Sequence, residues 1–481
     1  MRGLLIGLSI FLCATLILAG AFLLMGKIQM SGYHYDAAEH VELTSNEYKT
    51  ITAVGNGLYD ENGNRFDIKG INFGNLFIAE GWMTVNSIGA LKNDDGTYVK
   101  VNEQGIVEEY EEIYQEEMDS ILASRFSDED LEKLNNAFFE SYCTEADFKL
   151  ISDLGMNTIR IPVYYRTFLS THDRYRLSDE ELCAMDFNSI ELDFTKLDTF
   201  IAYAKQYGLK VIIDMHGVMG GQSGFEHSGT RDIDFWDNEE YIEFMSNLWK
   251  AIAIHYIGEN AILAYDLVNE PTNRNEIGTG PKQWAVMDRL YDAIREVDEH
   301  HVISIEGVWY PVSLPSPEKY GWENVLYQYH YYNWTSDITP NDLFYSFMLA
   351  LNSLSDYDVP KLVGEFNFFG DSEEWEKYLD LYDQMGWGWT IWSYKIISVG
   401  WWDNSWGIVV NKLNLQNENI YEIPEDERNL KLDLRTASYE EIYGVWSNQE
   451  TEYDGQEGPY KIYDDGVTYN VLVKYFEGLN K

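Results

Sequence analysis

Beyond residue 145 the chain alternates between two hydrophobic patterns. Segments with apolar residues every three or four positions are followed by short, almost unbroken apolar runs. The first pattern predicts amphipathic helices and the second predicts strands buried on both faces. Helices are predicted over Ala146–Leu154, Phe194–Tyr207, Glu239–His255, Gln283–Glu296, Asp342–Leu354 and Ser372–Met385. Strands are predicted over Thr158–Val163, Lys210–His216, Ala261–Glu270, His301–Glu306, Val325–His330, Lys361–Glu365 and Gly388–Ser393. One earlier strand is predicted at Asp67–Gly74, behind a hairpin signal over Leu58–Asp67 with Asn62-Gly63 at its turn. These make eight strands, mostly separated by helices. That order predicts a parallel sheet of class α/β, and eight units predict a closed (β/α)8 TIM barrel. A doubly wound open sheet is the alternative, but no Gly-x-Gly-x-x-Gly follows an early strand.

The ends of the chain follow other patterns. Leu4–Met25 is apolar and uncharged after Arg2, long enough to cross a bilayer of about 30 Å. Ala19-Gly20-Ala21 resembles a cleavage site, but Phe22–Met25 prolongs the apolar run past it. Residues 1–26 therefore read as an uncleaved signal anchor with the N-terminus inside and the body outside the cell; a cleaved signal peptide is the alternative. Residues 27–49 read as a polar spacer, and residues 50–481 as one barrel domain. Residues 83–145 are acidic and irregular, with a Glu-rich helix predicted over Glu108–Ser127, and read as an insertion in the first βα loop. The tail after Asn411 carries helix signals at Ser438–Val445 and Tyr469–Leu479 and reads as a cover for the barrel.

Composition narrows the class of function. The 481 residues are 45% hydrophobic and 15% aromatic, enough for a large core. The formal net charge is -47, from 34 Lys+Arg against 81 Asp+Glu. Such a surface repels nucleic acid and anionic lipid and suits a neutral substrate. Membrane contact is expected through the N-terminal segment alone, and the protein is expected to be a monomer. The 36 Tyr and 15 Trp include side chains suited to stacking on sugar rings, though most will fill the core. Three cysteines, Cys13, Cys143 and Cys183, offer no C-x-x-C spacing, so no zinc site is expected. A Cys143–Cys183 disulfide stays open.

Chemistry-bearing residues close one strand after another. Arg160, His216, Asn269-Glu270, His330 with Tyr332, Glu365 and Trp392 each fall at or near a strand's C-terminal end. Polar groups at one barrel mouth cost desolvation without adding core burial, so packing alone does not account for them. Pro271 cannot donate to a ladder and closes the fourth strand just past Glu270. Strands four and seven face each other across a barrel, which sets Glu270 against Glu365. Two carboxyls across a cleft suit glycoside hydrolysis. Arg160 and Tyr332 would keep Glu365 ionised, while burial and negative neighbours would keep Glu270 protonated.

On these residues the stretch from Gly57 to Trp406 resembles glycoside hydrolase family 5, the cellulase-like retaining β-glycanases. The resemblance implies that Glu270 of Asn269-Glu270-Pro271 is the acid/base and that Glu365 of Gly364-Glu365-Phe366 is the nucleophile. It assigns supporting roles to Arg160, His216, Asn269, His330 and Tyr332, and makes Trp392 the floor of a sugar subsite. Asn269 would bond the sugar 2-OH. The segments Gly70–Asn75, Glu80–Thr84 and His216–Gly229 resemble the exo-β-1,3-glucanase branch, in which Glu80 and Glu226 would contact the terminal sugar. Leu76 stands where that branch has Trp, Glu226 where it has Asp, and a single His precedes Tyr331. The implied function is retaining hydrolysis of a β-glucan, β-1,3-glucan foremost, without metal or organic cofactor. A β-1,4-glucanase or mannanase, a transglycosylase and a non-catalytic carbohydrate-binding barrel are the alternatives.

Overall fold

The computed structural model describes residues 37–43, 49–89, 113–272, 278–336, 338–396, 404–412 and 432–479. Eight parallel strands form a closed barrel: β1 (Lys69–Asn72), β2 (Thr158–Tyr164), β3 (Lys210–Gly217), β4 (Ile262–Asp266), β5 (Val302–Glu306), β6 (Val325–Tyr331), β7 (Lys361–Phe366) and β8 (Gly388–Ile391). Neighbours follow chain order, and β8 returns to pair with β1 through Ile391 and Ile71. Helices follow most strands, as the hydrophobic period predicts. Between β5 and β6 only the 3-10 turns Pro311–Ser313 and Pro317–Lys319 intervene.

The barrel interior is built in layers by the two-residue period of the strands. Ile212, Ala264, Val302, Leu326 and Leu362, from five adjacent strands, pack together as its apolar base. The hairpin Thr52–Val54/Gly57–Tyr59 adds Leu58 to the same cluster. Two positions further along the same strands lie Asp214, Asp266, Ser304, Gln328 and Gly364, a polar layer. Another two positions bring His216, Glu306 and His330 to the rim. Strand β7 reaches the rim differently. Its register shifts between Val363 and Glu365, so that Glu365 pairs with His330. This bulge brings Glu365 to the inner face, where strict alternation would turn it out. Gly364 permits it: a Cβ there would come within 2.5 Å of the Gln328 side chain.

Strand β4 is shorter than the apolar run predicts. Its ladder stops at Asp266, and the chain continues to Glu270 held by single bonds, Leu267 N–H to the Ser304 carbonyl and Asn269 N–H to that of Met215. Glu270 itself has φ +39°, a backbone region that L-residues seldom occupy.

The insertion forms helices over Gln115–Arg125 and Asp128–Tyr142, while the predicted helix start at Glu108 lies outside the described residues. Leu122, Leu131 and Leu134 join Leu434, Ile442 and Trp446 from the tail in a second apolar cluster. The tail helix Val467–Leu479 docks on the barrel, with Tyr475 bonded to Lys69 and Asp383. Cys143 and Cys183 are free thiols, which closes the disulfide reading. Cys143 is buried at the end of its helix, whereas Cys183 rests 3.5 Å from the Met219 sulfur and beside the Glu240 carbonyl. The apolar N-terminal segment lies outside the described residues, and no described helix is long and apolar enough to cross a membrane.

Candidate active site

Arg160 organises the polar layer. It is fully buried, and its guanidinium donates to Asp266 at 2.9 Å, Asn72 at 3.1 Å, Glu365 at 2.9 Å and Asn269 at 2.8 Å, with Asp214 3.0 Å away. A buried cation is tolerable only when paired to this degree. The carboxyls, however, outnumber it. Glu80, Asp214, Asp266, Glu270, Glu306 and Glu365 are all buried around the mouth. His216, His227 and His330 add no charge, because burial holds each well below its ordinary range, His227 at about 3. The cluster must therefore retain protons.

The two glutamates differ in where those protons go. Burial pushes Glu365 up to about 7, against the pull of Arg160 and of the Tyr332 hydroxyl, which donates to it at 3.1 Å. Burial pushes Glu270 well above the carboxylate range, and the charges of Glu365 and Glu80 add to this. Glu270 meets His330 Nδ1 at 2.9 Å and His227 Nε2 at 3.3 Å, with no arginine in contact among the described residues. The pair is thus split into a group that keeps its proton and a group served by a cation. One oxygen of Glu270 and one of Glu365 lie within 4.8 Å of each other. With His330 these residues offer three ligand atoms in the same space. The Arg160 guanidinium already bonded to Glu365 supplies the positive charge there, so the donor set suits proton transfer better than a cation.

The cavity above has a volume of about 420 Å³, within the usual range for small-ligand sites. Of the ten residues singled out from the sequence, Glu80, His216, Glu226, Asn269, Glu270, Tyr332, Glu365 and Trp392 line it. Arg160 and His330 lie behind it, bonded to Glu365 and Glu270. Asn269 spends its oxygen on Arg160, which turns its amide nitrogen toward His216 and the cavity. His216 is oriented by Asp214 at 2.6 Å and stacks on Trp392 with ring centroids 5.6 Å apart. Glu80 accepts the Trp82 indole N–H, and Glu226 accepts the Gly81 amide, which places both acids at one end.

Several lining or supporting residues are not singled out by the sequence reading. Asp214, Asp266 and Glu306 lie on the same two-residue period as His216 and His330, and that period was the signal for them. Trp82, Trp309, Trp334 and Trp406 also line the cavity. They come from loops, and no spacing marks them.

The raised carboxyls carry a prediction for stability. Burial lifts Asp214 to about 7, Asp266 to about 6 and Glu365 to about 7. A group that binds protons more tightly when folded stabilises fully below its unfolded value, about pH 4 here, and that contribution is lost as pH rises through the folded one. The melting temperature is therefore expected to fall between pH 5 and pH 8, and Glu365→Gln to flatten the fall. A melting temperature that climbs over this interval would contradict the reading.

A family model described as Cellulase (glycosyl hydrolase family 5) matches residues 122–398. The chain is 30% identical over 217 residues to a beta-xylosidase of Phanerodontia chrysosporium, covering 44% of this chain and 42% of that protein. It is 25% identical over 308 residues to a probable glucan 1,3-beta-glucosidase A of Aspergillus clavatus, covering 62% of this chain and 64% of that protein. The chain thus spans less than two thirds of the length of either relative. Among solved structures, a β-glucanase from Saccharophagus degradans superposes with a TM-score of 0.44 at 15% identity, covering 75% of this chain and 89% of that one.

Proposed function

The chain belongs to the cellulase family, glycosyl hydrolase family 5, and we propose that it hydrolyses a β-glucan, β-1,3-glucan foremost, with retention of anomeric configuration. The observation that carries this is the approach of Glu270 and Glu365 to within 4.8 Å. With one oxygen of each that near, the pair fits the spacing of about 5–5.5 Å between retaining carboxyls better than the roughly 6.5–9.5 Å of an inverting pair. The choice of glucan rests on relatives named as glucan 1,3-beta-glucosidases.

In the first step Glu365 bonds to the anomeric carbon while the bond to the leaving oxygen breaks, and that oxygen takes the proton of Glu270. In the second, Glu270 takes a proton from water, the hydroxyl bonds to the anomeric carbon from the vacated face, and Glu365 departs as a carboxylate. Arg160 and Tyr332 stabilise Glu365 in its ionised form. The Asn269 amide nitrogen donates to the sugar 2-OH, a contact that strengthens as charge develops. Trp392 forms the floor under the ring, and Glu80 and Glu226 bind hydroxyls of the terminal sugar. A polysaccharide substrate supports action outside the cytoplasm. The apolar run Leu4–Met25 would hold it at the cell surface, or direct its secretion if cleaved.

Product analysis on laminarin beside a β-1,4-glucan, with the new anomer followed by proton NMR, tests the assignment. Turnover of laminarin with the β-anomer appearing first is the expected outcome. A first-formed α-anomer, or cleavage of the β-1,4-glucan alone, would overturn it.

A further inference from the structure

Glu306 closes β5 and is buried to 1% exposure. One of its oxygens, Oε2, accepts the backbone N–H of Glu270 at 2.9 Å. This bond holds the one residue of the site with φ near +40°. The Gln328 amide nitrogen lies 2.9 Å from Asp266 Oδ2, 3.4 Å from Glu306 Oε2 and 3.5 Å from His330 Nε2; the two shorter contacts, both to carboxyls, take its two protons. Among the described residues the other Glu306 oxygen, Oε1, has no hydrogen-bond partner in its buried position. The group facing it is His330 Nε2, 3.6 Å away. Across the same ring, Nδ1 meets Glu270 Oε1 at 2.9 Å.

Proton counting then links the three residues. The ring meets Glu270 through Nδ1 and faces Glu306 through Nε2; one proton in each gap would pair both carboxyls, and a neutral imidazole supplies one. The second must come from a carboxyl, Glu270 or Glu306. Burial raises both carboxyls, but their surroundings differ. Glu306 faces two fixed donors, the Glu270 N–H and the Gln328 amide. Glu270 faces two ring nitrogens, His330 Nδ1 and His227 Nε2, the latter also 3.0 Å from the Ser223 hydroxyl. We infer that Glu306 is a positioning residue of the reaction: as a carboxylate it draws the His330 proton to Nε2, and so leaves Nδ1 as a lone pair that accepts the acid proton of Glu270. The inference deepens the proposed function and rests on Glu270 being the acid.

Glu306→Gln is the direct test. Its amide oxygen must take the place of Oε2 to keep the Glu270 N–H, so its NH2 faces His330 Nε2. That forces the proton to Nδ1, where it favours ionised Glu270. The kcat/KM for a phenyl β-glucoside, whose departure needs the acid, is expected to fall about 30-fold, and that for 2,4-dinitrophenyl β-glucoside less than about 3-fold. Equal losses on both substrates, or none, would overturn the role of Glu306. A Glu270→Ala variant that loses both substrates equally would instead overturn the reading of Glu270 beneath it. A second measurement needs no variant at position 306. Nitrogen-15 NMR of the histidine-labelled parent protein, with the His330 signals assigned by their loss in His330→Gln, is expected to show a neutral Nε2–H ring. An Nδ1–H ring would overturn the inference even if Glu306→Gln does not fold.

Discussion

Glu365→Gln is expected to lower kcat by about 10⁴-fold or more while the protein still folds. The amide cannot attack the anomeric carbon, yet it fits the same place. Its oxygen can accept from Arg160 and its NH2 can donate to the Tyr332 hydroxyl, so neither of the two bonds at Glu365 is left without a counterpart. Because burial raises Glu365 to about 7, removing its charge should leave the melting temperature at neutral pH unchanged or higher. Glu365→Ala makes the chemistry visible in another way. It opens a space beside the anomeric carbon, and azide entering there should displace an activated leaving group to give the α-glycosyl azide. Unfolding curves, steady-state kinetics and product NMR together check the prediction. Turnover within about tenfold of the parent would sink the assignment of Glu365.

Glu270→Ala has the second largest effect, and its signature is different. A poorly activated substrate such as phenyl β-glucoside should lose about 10³–10⁴-fold in kcat/KM, because no acid meets the departing oxygen. A dinitrophenyl glucoside leaves without help, so its first step survives while water attack in the second step slows. A burst of released phenol followed by slow turnover is the expected trace, with azide restoring turnover and yielding the β-glycosyl azide. Equal losses on the two substrates without a burst would deny Glu270 the acid/base role.

The barrel was legible in the sequence because its two periods are local. Strands buried on both faces read as apolar runs, and the helices between them read at three-to-four spacing. The rim was legible for the same reason: a two-residue alternation that starts at Ile212 or Leu326 ends at His216 or His330. That alternation also runs through Val302 and Ser304 to Glu306. The residue was passed over because a lone strand-end glutamate has no partner visible in sequence. Its partners are the Glu270 amide and His330, the latter brought beside it by the pairing of β5 with β6. The bulge at Gly364 and the positive φ of Glu270 were not legible either. Both are set by neighbours remote in sequence, Gln328 in the first case and Glu306 in the second. The aromatic wall was the least readable part. Trp82 and Trp406 meet at 4.9 Å, and Trp334 stacks on Tyr332 at 4.9 Å, across loops whose courses no hydrophobic period records. The insertion's acidic character and its first helix were legible, but both of its helices join the tail in a separate apolar cluster, which requires knowing that residues near 122 and 131 meet those near 442.

Double displacement through Glu365 is tested most directly by trapping the intermediate. A 2-deoxy-2-fluoro-β-glucoside with a dinitrophenyl leaving group slows both steps, and the second more when the leaving group is activated, so the glycosyl-enzyme accumulates. Proteolysis and mass spectrometry of the inactivated protein are expected to place the fluorosugar on the peptide bearing Glu365, bonded to that residue. A label on any other carboxylate, or an enzyme that turns over substrate with inversion and never accumulates a label, would contradict the account.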